Sequence, residues 1–81
     1  MQNEDFATRL RERMQIKGFK QADLIRLAAD WDAKLGKSQV SQYVSGKTLP
    51  RRDVLGVLAG ILDVSPDWLL EGSPENTFAH P

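Results

Sequence analysis

The sequence predicts an all-α domain of five short helices, and three observations carry that prediction. Apolar residues recur at one-turn spacing through most of the chain, as in Phe6, Leu10 and Met14, or Leu55, Leu58 and Leu62. Glycine and proline break these stretches into short lengths. No pair of segments alternates apolar and polar residues in the way partnered strands do. The chain has 81 residues and no internal repeat, which suits one domain. Residues 1–72 are expected to fold and residues 73–81 to form a flexible tail.

Asn3 is placed to cap the first helix, with Glu4 and Asp5 in its first turn, where negative charge suits the helix dipole. Gly18 stops it. The second helix is expected to start near Lys20 and Gln21 and to turn Leu24, Leu27 and Ala28 inward, with Ile25 alongside. The stretch from Ala29 to Gly36 either extends that helix or forms a long connection. A third helix covers Lys37 to Val44, with Val40 and Val44 inward and Gly46 just beyond. The fourth runs from about Arg51 to Leu62, and its two glycines, Gly56 and Gly60, mark close helix contacts at some cost in helicity. Ser65, Pro66 and Asp67 give a cap, a first-position proline and an acid, which opens a fifth helix carrying Trp68, Leu69 and Leu70.

Composition narrows the functional classes. A domain this small buries only roughly 60% of its unfolded surface, so its core must be efficient or helped by self-association. There is no cysteine, which removes disulfides and thiolate metal sites. No apolar run is long enough to span a bilayer and no signal-peptide pattern opens the chain, so a cytoplasmic protein is expected. Net charge is zero, with 11 basic and 11 acidic residues, but the signs are segregated. From Ala33 to Arg52 there are five basic residues (Lys34, Lys37, Lys47, Arg51, Arg52) and no acid. From Asp53 onward there are five acids and no lysine or arginine. A polyanion responds to the local field, so the basic middle can meet one.

The third helix has the residue types that base reading needs. Lys37, Ser38, Gln39, Ser41 and Gln42 are hydrogen-bonding side chains on its early, outward positions, while Val40 and Val44 lock it inward. The loop after it offers Gly46 amides, Lys47 and the Thr48 hydroxyl to phosphate oxygens. Arg51 and Arg52 stand at a helix start, where the dipole disfavours cations, which points to a partner outside the helix.

These residues also carry a resemblance. The run from Leu35 to Pro50 resembles the recognition-helix segment of the Cro/CI-type, or xenobiotic-response-element-type, helix-turn-helix family: a glycine, a polar helix start, an aliphatic–serine pair, Gly-Lys and a proline. Gln21 and the stretch from Leu62 to Leu70 resemble the family too, so the likeness covers about residues 4–71. It implies a five-helix, lambda-repressor-like fold and a sequence-specific regulator of transcription, most simply a repressor, bound to double-stranded DNA as a homodimer on paired half-sites. Carried over, Lys37, Ser38 and Gln42 face base edges, with Gln39 and Ser41 as near neighbours. Gln21, Gly46, Lys47 and Thr48 hold phosphates. Tyr43 either places its hydroxyl on the DNA backbone or packs against the loop. One departure stands out: Gln21 precedes Val40 by nineteen positions, more than the family's spacing. The turn between the second and third helices is therefore lengthened, which leaves the role of Gln21 open, and Trp31 in it reads as an apolar plug before a DNA contact.

Other candidates yield less. Asp30 and Asp32 have no histidine, glycine-rich loop or further carboxylate nearby and read as solvated charges. Gly46-Lys47-Thr48 lacks the earlier glycine of a phosphate-binding loop, since position 41 is serine. His80, the single histidine, sits in the tail. No enzyme activity, metal or cofactor is expected. Trp68, Leu69 and Leu70 belong to the core or to a dimer face, and the acidic stretch from Asp67 to Glu75 is a candidate surface for a protein partner. An antitoxin or other protein-interaction module on the same helices is the competing class.

Overall fold

A computed structural model describes residues 2–72. The expected tail at 73–81, with Glu75 and His80, lies outside the described residues. Five helices follow in order: α1 (Gln2–Lys17), α2 (Gln21–Ala29), α3 (Lys37–Ser45), α4 (Arg52–Leu62) and α5 (Pro66–Glu71), with no strand among the described residues. α1 already runs from Gln2, so Asn3 lies inside the helix rather than capping it. α4 starts one residue later than its charge pattern suggests, with Arg51 as its cap. α5 opens as expected: Ser65 Oγ accepts a hydrogen bond from the Trp68 amide at 3.0 Å, and Pro66 takes the first position.

Chain reversal is handled the same way five times. Each helix is followed by a residue in the left-handed region: Gly18, Asp32, Gly46, Asp63 and Gly72. After α3, the Lys47 amide bonds to the Gln42 carbonyl at 2.9 Å and the Gly46 amide to the Tyr43 carbonyl at 3.2 Å. This pair of hydrogen bonds satisfies carbonyls that a helix end would otherwise leave open. α2 closes likewise on Asp32 rather than on a glycine, with the Ala33 amide on the Ala28 carbonyl at 2.9 Å. The segment 30–36 is thus a long connection and does not extend α2.

The core draws on every helix: Phe6, Leu10 and Met14 from α1, Leu24 and Ala28 from α2, Val40 and Tyr43 from α3, Leu55, Leu58, Ala59 and Leu62 from α4, and Leu69 from α5. Leu35 adds the end of the long connection to it. α1 packs on α3, α4 and α5, and α2 packs on α3 and α4. Val44 is only half-buried, and the ring that joins Val40 inside is that of Tyr43. Trp68 and Leu70 are half-buried against the core, while Leu69 is fully enclosed.

Polar contacts from α1 tie these helices together. Arg9 donates to the Leu69 carbonyl at 2.9 Å and the Leu70 carbonyl at 2.6 Å. Arg11 donates to the Val44 carbonyl, and Arg13 to that of Leu62 at 3.3 Å. One helix thereby sends a guanidinium to the C-terminal end of each of α5, α3 and α4. Those ends carry unpaired carbonyls and the negative pole of the helix dipole, so the match is both hydrogen-bonding and electrostatic.

The two glycines of α4 differ in kind. A Cβ added at Gly60 would meet the indole of Trp31, with Cζ2 at 2.8 Å and Cζ3 at 3.0 Å. Gly60 is therefore the close contact that its helix-weakening presence suggested. At Gly56 the space is open, and nothing among the described residues accounts for that glycine.

Candidate nucleic-acid interface

α3 is built to keep its first turn open. Gly36 caps it in extended geometry and has no side-chain oxygen to offer the first-turn amides, and no acid lies in that turn. Those amides and the positive end of the helix dipole are left for an outside acceptor. Gly36 itself is held from within the helix, its amide donating to Gln39 Oε1 at 3.0 Å. The Gln39 amide nitrogen donates to the Tyr43 hydroxyl at 3.2 Å. Both ends of the Gln39 side chain thus have a hydrogen-bond partner within the protein, and they brace the helix start although the residue is exposed.

Gln21, Lys37, Ser38, Ser41, Gln42 and Lys47 line one open depression between the start of α2, the outer face of α3 and the loop beyond. The lengthened connection therefore leaves Gln21 beside the outer face of α3. Lys37, Ser38, Ser41 and Gln42 are all exposed. In the loop, Leu49 and Pro50 are drawn inward while Lys47, Thr48 and Arg51 stay exposed. Gly46 adopts φ 82°, the left-handed geometry that lets the chain leave α3.

Two residues are placed otherwise. Tyr43 is 5% exposed and belongs to the core, so packing is the alternative its position realises. Arg52 lines a second depression, with Leu55, Gly56, Asp67 and Glu71, and is not gathered with the α3 residues.

Charge is also sorted by use. Arg9, Arg11 and Arg13 are committed to carbonyls, Lys17 lies 3.8 Å from Asp63, and Arg26 pairs with Asp23 at 2.7 Å. Lys34, Lys37, Lys47, Arg51 and Arg52 make no ion pair among the described residues. The carboxyl of Asp23 is held below the ordinary carboxylate range, first by the hydrogen bond from the Lys20 amide and then by Arg26. That bond, 2.8 Å long, caps the entry to α2 beside Gln21. Arg11 is a contributor that sequence reasoning missed. It anchors the last turn of α3 from 33 positions away, and no local pattern announces that distance.

Among the described residues no helix is long and apolar enough to cross a membrane, and no group of three or more histidine, cysteine or acidic side chains is placed to hold a metal. The helix-turn-helix family profile matches residues 9–69, three quarters of the chain. The chain belongs to that family, the Cro/CI-type helix-turn-helix DNA-binding proteins. No curated protein and no solved structure matches it.

Proposed function

We propose that this protein is a sequence-specific repressor that seats α3 in the major groove and binds paired half-sites as a homodimer. Lys37, Ser38, Ser41 and Gln42 read base edges, lysine suiting guanine and glutamine adenine. Gln21, Lys47, Thr48 and Arg51 hold the flanking phosphates, which fix register without carrying sequence information, while the Gly46 amide is spent on the Tyr43 carbonyl. The observation that carries this reading is the shared open face of Gln21, Lys37, Ser38, Ser41, Gln42 and Lys47, beside cations that make no ion pair among the described residues. Half-sites about one helical turn apart, ~34 Å, are expected for two copies on one face of the duplex.

The test is selection from a random duplex pool at two salt concentrations, comparing wild type with Gln42→Ala. A palindromic motif that the variant reads less strictly, by about 1–3 kcal/mol at one base pair, supports the reading. Weak binding at low salt with no enriched motif would overturn it. Complex formation with a protein in the absence of DNA would favour the interaction-module class instead.

A further inference from the structure

We propose that Trp31 is a positioning residue: its indole, seated on Gly60 of α4, holds the lengthened α2–α3 connection and so sets the N-terminal turn of α3. This rests on the reading of α3 as the DNA-contacting helix. The first half of the connection from Asp30 to Gly36 is hydrogen-bonded back onto the end of α2, through the amides of Asp30, Trp31, Asp32 and Ala33, so its placement against α4 falls to side chains. Asp30, Trp31, Asp32 and Lys34 are exposed, and the inward anchors, half-buried Ala33 and buried Leu35, lie beyond the indole. Asp32 occupies the left-handed region, at φ 58°, without the ease of a glycine. What lies across from this stretch is α4. Trp31, Asp32, Ala33 and Lys34 line one groove with Asp53, Val54 and Val57, and the indole reaches Gly60 a turn further along.

The fit at Gly60 is close, since an added Cβ would fall inside the contact distance of three indole carbons and any side chain there would displace the ring. Trp31 nevertheless remains 53% exposed, so it is a clamp laid on the surface and not a core residue. An aromatic ring braced on a helix is a stiff support, because only two side-chain torsions must be fixed. The support then passes along a short path. Trp31 fixes the connection against α4, Leu35 enters the core, and the Gly36 amide bonds to Gln39 Oε1 at the entrance to α3. Lys37 and Ser38 follow immediately.

Gly60→Ala is the probe, because it removes the seat without touching the DNA face and favours the helix it sits in. Affinity for the selected duplex is expected to fall about tenfold, ~1.4 kcal/mol, with the thermal midpoint undiminished. Trp31→Ala should give a similar loss in the folded protein. The double variant should lose about tenfold rather than about a hundredfold, since both substitutions break one contact. A clamp that served stability alone would lower the melting temperature of Trp31→Ala and leave the affinity of the folded protein intact, which would overturn the proposal.

A second readout needs no DNA. In free Gly60→Ala, amide resonances of residues 36–39 should move and the Gly36 amide should exchange faster. If wild type selects no duplex, the DNA reading fails, while movement of these amides still supports Trp31 as the residue that sets α3. Amides unchanged at residues 36–39 would overturn it.

Discussion

Gln39 and Gln42 stand three positions apart on one helix, and their hydrogen bonds assign them different work. Gln42 is exposed and lines the depression with Gln21, Lys37, Ser38, Ser41 and Lys47. Gln39 spends its oxygen on the Gly36 amide and its nitrogen on the Tyr43 hydroxyl. Gln39→Ala should therefore lower stability by about 1 kcal/mol through loss of the cap, and leave base preference where Gln42→Ala relaxes it. Urea denaturation read beside motif selection separates the two effects. A glutamine at position 39 whose removal changed the selected motif and not the midpoint would refute this assignment.

Among the helices, α1 has a role that its sequence conceals. Its buried stripe, Phe6, Leu10 and Met14, fills the core, and its arginines reach the far ends of three other helices. Arg9→Met keeps much of the aliphatic stem and removes two charge-assisted bonds to the end of α5. A loss of about 2 kcal/mol is expected, checked by urea unfolding, with faster amide exchange across α5. The entry of α2 depends on pH. Because the Asp23 carboxyl is depressed in the folded protein, its contribution is fully present above the ordinary carboxylate range and is lost as pH falls through the lowered value. Exchange of the Lys20 amide should accelerate on acidification in wild type and be pH-independent, beyond the intrinsic rate, in Asp23→Asn.

At the scale of the whole molecule, zero net charge is compatible with binding a polyanion because the cations are divided by use. Those of α1 are consumed by helix ends and by Asp63, whereas those from Lys34 to Arg52 have no acid between them. Binding should therefore follow the small set of free cations. Lys47→Gln is expected to weaken binding to all duplexes alike and to reduce the salt slope by about one. Arg9→Met should leave that slope unchanged in the folded protein. An equal change in slope from both would mean that α1 faces the DNA.

The fold class, the five helices and the polar face of α3 were legible in the sequence because helical spacing and glycine punctuation are local properties. Ser65, Pro66 and Asp67 announced α5 for the same reason, and the family resemblance rested on residues that lie side by side. One local reading went astray and one was left open. Asn3 looked like a cap although the helix continues through it, and Tyr43 looked as open to the outside as to the core. Packing decided what sequence spacing left open. Whether residues 30–36 continued α2, what Gly60 was for and where Arg9, Arg11 and Arg13 pointed all depend on partners at long separation. The sequence by itself determined which helices form and which residues α3 turns outward. Tertiary structure decided which of those residues are free to bind, because a side chain is free only when no distant carbonyl, ring or carboxylate has engaged it.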